Sequence, residues 1–212
     1  MKSALRPIDD LLRGRPAAAA RAWWLALLCG VFYGAVMGSF GGRPGQAVYS
    51  ASKVPLLLAT TTLLGLPSFF VLNTLLGVRS DFGKAMRAVV VSQAGLTIIL
   101  ASLAPVTAFW YASTTDYRTA ILFNAAMFAV ASVGAQWMLR RAYRPLIARN
   151  PVHRRLLGAW LLIYGFVGIQ MGWLLRPFIG APGEPVQFFR PGAWDNAYVF
   201  VARLIWEVLA GR

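Results

Sequence analysis

Five long apolar runs, separated by short stretches that carry most of the charge, organise this chain: Ala22 to Gly41, Val54 to Gly77, Ala88 to Ala112, Thr119 to Leu139 and Leu156 to Leu175. A bilayer's hydrocarbon core is about 30 Å thick and a helix rises about 1.5 Å per residue, so roughly twenty apolar residues cross it. None of the runs shows the period-two alternation of a membrane strand. The pattern predicts an all-α fold, a polytopic transmembrane helical bundle of about five spans over residues 22–175, with amphipathic helices at both ends.

Residues 1–21 form the first of these ends. In "RPIDDLLRG", Pro7 suits a first helical turn, Asp9 and Asp10 meet the positive dipole end, and Gly14 is a stop. Leu5, Ile8, Leu11 and Leu12 share one face, which suits either an anchor lying on the membrane surface or a short cap packed on the protein. Residues 176–212 form the other end, a proline- and aromatic-rich segment followed by a helix over residues 193–210. In that helix Asp195, Asn196, Arg203 and Glu207 gather on about a third of the circumference, which favours an interfacial or bundle-packed helix over a sixth span.

Composition supports the membrane reading. The chain is 58% hydrophobic and 13% charged, whereas charged residues make up about a quarter of an ordinary soluble domain. The net charge of +14 would suggest nucleic acid in a soluble protein, but here most Lys and Arg sit between apolar runs, where topology requires them, so no nucleic-acid partner is expected. One side collects Lys2, Arg6, Arg13, Arg15, Arg21, Arg79, Lys84, Arg87, Arg140, Arg141, Arg144, Arg149, Arg154 and Arg155. The other holds Arg43, Lys53, Arg118, Arg176, Arg190, Arg203 and Arg212. This excess predicts a cytoplasmic amino terminus and a carboxyl terminus on the outer side. The first run is longer than a secretory signal core and four more come after it, so it reads as a retained span. A lone cysteine, Cys29, excludes an intrachain disulfide.

The first run repeats glycine at every fourth position: Gly30, Gly34, Gly38 and Gly42. Glycine is a poor helix former in water, but a backbone in lipid must keep its internal hydrogen bonds, so the helix persists and presents a groove for close helix approach. Gly158, Gly165 and Gly172, with Gly168 beside them, repeat the device in the last run. These glycines serve either self-association, including an oligomeric pore, or packing within one subunit or against a different helix. In "LGLPSFF", Gly65 and Pro67 predict a bend that either hinges a gate or only shapes packing.

No acidic residue falls in the middle of a run, and His153 sits in a basic loop. Neither a proton relay, a metal cluster, a Ser/His/Asp arrangement nor a phosphate loop can be assembled, so no enzyme activity and no cofactor are expected. The polar residues inside runs, Asn73, Gln93, Asn124, Gln136, Gln170 and Thr60 to Thr62, fit interhelical hydrogen bonds or a substrate path.

Candidate lipid or partner contacts lie on both sides. Arg140, Arg141, Arg144, Arg149, Arg154 and Arg155 in "RRAYRPLIARNPVHRR" suit anionic lipid on the cytoplasmic leaflet or an acidic partner, though topology alone also accounts for them. Lys53 falls at the predicted outer start of the second helix, where the dipole disfavours a cation and a phosphate headgroup or Glu184 would compensate. Trp173, Arg176, Phe178, Phe188 and Phe189 belong to "GWLLRPFIGAPGEPVQFFRPGAW", either an interfacial aromatic belt or a docking surface for another membrane or periplasmic protein.

"SKVPLLLATTTLLGLPSFFVLN" together with "GIQMGWLLRPFIGAPGEPVQFFRPG", spanning Lys53 through Arg190, resembles a group of small polytopic bacterial inner-membrane proteins with a Lys-Val-Pro-Leu-Leu helix start and a Gly-Trp-x-Leu-Arg-Pro-Phe-Ile/Val-Gly exit. The resemblance implies a bacterial inner membrane and no reaction. The leading expectation is a non-enzymatic subunit or scaffold of an inner-membrane complex, in contact with other membrane subunits or with copies of itself. A small oligomeric channel or membrane-perturbing effector, and a transporter of a small or lipidic substrate hinged at Pro67, are the alternatives.

Overall fold

The computed structural model describes residues 19–190, 196–199 and 206. The amino-terminal amphipathic segment and most of the carboxyl-terminal helix, including the sixth-span alternative, lie outside the described residues.

Every regular element among the described residues is helical: α1 (Ala19–Gly38), α2 (Pro44–Leu75), α3 (Phe82–Ser113), α4 (Tyr117–Arg149) and α5 (Val152–Leu174), with short 3-10 turns at Phe40–Gly42 and Arg79–Asp81. The helices alternate in direction. One end of the bundle, here the cap end, carries the α1–α2 and α3–α4 turns and the segment after α5. The other, the basic end, carries the α2–α3 and α4–α5 turns.

Four helices, α2 to α5, are long and apolar enough to cross a membrane, so the chain is a multi-pass membrane bundle. α1, Ala19–Gly38, has its apolar part at Ala22–Gly38 and ends three residues before the first predicted span does. α1 packs against both α2 and α3, which hardly touch each other, and Ala22 and Tyr33 are fully buried. α2 continues to α5, α3 to α4, and α4 meets α5 only lightly.

Helix ends differ from the apolar runs because polar residues that end a run do not end a helix. α2 begins ten residues before its run, at Pro44, where a missing N–H costs nothing. The turn before it needs Gly41 and Gly42 at φ 70° and 68°, a left-handed conformation open to glycine. At the far end, the predicted arginine loop is largely helix: α4 runs through Pro145 to Arg149, and only Asn150 and Pro151 separate it from α5. Pro55 and Pro67 likewise lie inside a continuous α2. α4 starts on a cap, the Asp116 carboxylate accepting from the Thr119 N–H at 2.9 Å.

The core has two centres. At the basic end Phe69, Val89, Leu139, Tyr143, Leu156 and Trp160 draw α2, α3, α4 and α5 together. Towards the cap Tyr33, Met37, Val54, Leu100 and Ala131 pack around α1.

Candidate functional site

Residues 176–190 fold over the cap end without regular secondary structure. Such a segment loses about 1–2 kcal/mol of backbone entropy per fixed residue, so its shape must be held from outside. The holders are side chains of the helices beneath. Lys53 Nζ donates to the Pro177 carbonyl at 2.6 Å. Gln46 Nε2 donates to the Pro177 and Phe178 carbonyls at 3.0 and 3.2 Å, and the Ser50 hydroxyl donates to the Phe178 carbonyl. Arg43 donates to the Ala181 carbonyl at 2.6 Å and to that of Glu184, and Tyr117 donates to the Ile179 carbonyl at 3.3 Å.

The α2 donors share a face. Gln46, Ser50 and Lys53 are spaced at i, i+4 and i+7, and all three are buried, Lys53 completely. Lys53 is therefore in the third turn of α2, not at its start, and the dipole conflict expected from the sequence does not arise. The Pro177 carbonyl meets its ammonium, with the Phe188 and Phe178 rings 4.9 and 6.0 Å away.

A second cluster sits beside the first. The guanidinium carbons of Arg176 and Arg190 lie 3.5 and 4.6 Å from the centre of the Trp173 ring. They are no further apart than the sum of those distances, 8.1 Å. The Arg190 N–H donates to the Arg176 carbonyl at 3.4 Å. In each guanidinium Nε and Nη2 are buried without a hydrogen-bond partner, and among the described residues no carboxylate pairs with either. Burial, and after it the like charge of Arg190, holds the Arg176 guanidinium below the usual arginine range.

Both arginines border a cavity of about 470 Å³ whose remaining walls include Met37 of α1, Leu57 of α2, and Ile121, Asn124 and Phe128 of α4. Ile121 and Ala125 of the wall are exposed on α4, so the cavity opens sideways on the flank of that helix. A second cavity of about 310 Å³, between α1, α2 and α3, has no charged residue in its wall.

Of the predicted contacts, the structure thus brings Lys53 to Phe178 and Phe188, and Trp173 to Arg176, while Phe189 stands 41% exposed on the cap. Arg140, Arg141, Arg144, Arg149, Arg154 and Arg155 are exposed around the basic end, remote from this cluster. Gln46, Ser50 and Arg190 were not singled out by sequence reasoning. The sequence holds no local signal for Arg190, since the Arg-Pro step it shares with Arg176 also occurs at Arg6, Arg15, Arg43 and Arg144.

The glycine rows divide. A Cβ on Gly38 would lie 2.6 Å from the Gln46 carbonyl oxygen, and one on Gly34 2.9 Å from Ala51 Cα. The groove of α1 is filled by the backbone of α2 in the same chain. Gly30 meets Thr97 at 3.5 Å, and Gly42 belongs to the turn. Among the described residues only Gly168 of α5 has a neighbour, Thr61 at 3.5 Å, and Gly158, Gly165 and Gly172 have none within 4 Å. Gly65 lies against Ile163 and Trp160 of α5 at 3.4 and 3.5 Å.

Polar side chains inside the spans join helices or return to their own. Tyr33 donates to Asn124 Oδ1 at 3.1 Å, Asn124 Nδ2 donates to the Tyr111 hydroxyl at 2.6 Å, and Tyr111 donates to the Met37 carbonyl at 3.0 Å, tying α1, α3 and α4. Tyr164 donates to Gln93 at 2.9 Å. Thr60 and Thr62 bond back to the Leu56 and Leu58 carbonyls. At the basic end His153 is buried rather than in a loop, with Nε2 3.3 Å from Asp81, which also pairs with Lys84 at 2.6 Å. Among the described residues no group of His, Cys, Asp or Glu could hold a metal ion. No family model, curated protein or solved structure matches the chain.

Proposed function

We propose that this membrane protein is a non-enzymatic subunit of a bacterial inner-membrane assembly, and that the cap is the surface it presents to a neighbouring protein on the outer side. One observation carries this reading: Arg43, Gln46, Ser50, Lys53 and Tyr117 all donate to the backbone of a segment with no regular structure. A buried lysine is a costly way to secure a loop, and a loop so secured has a fixed outward shape. That shape exposes Val186 and Phe189 at 39% and 41%, and rigid aromatic surface loses little entropy on docking.

An oligomeric channel draws less support. The tightest glycines of α1 are filled within the chain, and Thr60 and Thr62 bond to their own helix. The outer placement of the cap rests on the arginine asymmetry.

The test is purification in mild detergent after light-activated cross-linking from positions 186 and 189 in living cells. A discrete cross-linked protein, lost with Phe189→Glu, is expected. A lone chain with no cross-link from either position would contradict the reading.

A further inference from the structure

We propose that the side-opening cavity binds one anionic amphiphile, its oxyanion head on Arg176 and Arg190 and its acyl chain along Met37, Leu57, Ile121 and Phe128.

Two like charges held over one indole repel each other, and the chain supplies no described carboxylate to relieve them. Each guanidinium nevertheless has Nε and Nη2 buried and unpartnered. Leaving buried polar groups unpaired is costly, more so for charged ones, and an arginine fork matches carboxylate and phosphate oxygens by geometry as well as charge. The head of the ligand is therefore an anion able to bridge two arginines.

The remaining walls select the tail attached to that head. Apart from Asn124 and Tyr117, they are hydrophobic, and Asn124 already bonds to Tyr33, Tyr111 and the Ala120 carbonyl. A volume of about 470 Å³ falls in the range of small-molecule sites, about 300–1,000 Å³. It exceeds the space that a free phosphate fills. The exposed flank of α4 at Ile121 and Ala125 opens the site to the surrounding lipid, where an acyl chain resides. The uncharged cavity between α1, α2 and α3 lacks a counterpart for the head, which separates this site from a generic greasy groove.

Phosphatidylglycerol and a fatty acid share this chemistry, and native mass spectrometry of the full chain released from dodecyl maltoside separates them. Titrations use phosphatidylglycerol, oleate, phosphatidylcholine and inorganic phosphate. One phosphatidylglycerol or one oleate per chain is expected, bound about tenfold or more tightly than phosphatidylcholine, and the tighter of the two names the source. Arg176→Gln with Arg190→Gln should weaken that binding at least about tenfold. Ala125→Trp, which leaves both arginines and fills the side opening from an exposed position, should do the same and keeps the test open if the double variant does not fold. Phosphatidylcholine retained as well as the tighter of phosphatidylglycerol and oleate, binding of that ligand unchanged in Ala125→Trp, or inorganic phosphate held as tightly as that ligand would overturn the proposal.

Discussion

The Lys53 ammonium and the Pro177 carbonyl lie 2.6 Å apart, joining the third turn of one helix to a segment 124 residues further along the chain. With Gln46 and Ser50 on the same face, this bond fixes how the cap sits on the bundle. Lys53→Met keeps the stem and removes the donor. A hydrogen bond to a charged group is worth about 1.5–3 kcal/mol, so amide exchange around Ile179 should accelerate by about tenfold to a hundredfold. Hydrogen-exchange mass spectrometry in detergent reads this, and unchanged protection would show that the cap is held by its other bonds.

Gly34 and Gly38 make a sharper steric prediction. Alanine at either position drives a methyl into the backbone of α2, and overpacking of this kind costs about 1–3 kcal/mol. Gly165→Ala and Gly172→Ala, with no neighbour within 4 Å among the described residues, should be neutral or slightly stabilising. Thermal unfolding of the four variants in one detergent checks the contrast, and equal melting temperatures would refute the internal role of the α1 groove.

The Asn124 cluster should behave as a coupled unit. In a double-mutant cycle Tyr33→Phe and Asn124→Leu should show a coupling of about 0.6–2 kcal/mol, the range for hydrogen bonds between membrane helices. Additive effects would mean that the 3.1 Å contact contributes nothing measurable.

Asp116 gives a pH dependence of definite sign. Its bonds from the Thr119 hydroxyl and N–H hold the carboxyl below the usual aspartate range. A depressed folded value means that its stabilisation is complete above the unfolded carboxylate pKa and fades as pH falls through the folded one. Asp116→Asn should therefore melt below the parent at neutral pH, with the gap closing as the solution is acidified past the ordinary aspartate range. A gap that stayed constant down to strongly acidic pH would contradict the assignment.

How far each feature was legible in the sequence depends on how local its signal is. The five helices were legible because lipid-facing and core-facing positions are alike apolar, which leaves long runs. Their ends were not, since arginine is a good helix former and α4 continues through Arg140, Arg141 and Arg144 once those side chains face out of the bundle. The spacing of Gly34 and Gly38 revealed a groove; the same kind of spacing at Gly158, Gly165 and Gly172 marks a row with no neighbour among the described residues, because spacing does not name a partner. Lys53 was misplaced for a related reason. Its proximity to Val54 and Pro55 suggested a helix start, whereas the start lies at Pro44, and its true partner is a carbonyl with no sequence signature. The pairing of Arg176 with Arg190 depends on the fold of the cap and has no local signature.

Membrane insertion with the cap on the outer face underlies all of this, and cysteine labelling tests it most directly. In a Cys29→Ala background, single cysteines at Val186 and at Arg144 are treated in intact cells with a membrane-impermeant maleimide. The cap position should label in intact cells and the Arg144 position only after the inner membrane is breached. The opposite pattern, or labelling of both without a breach, would contradict the account.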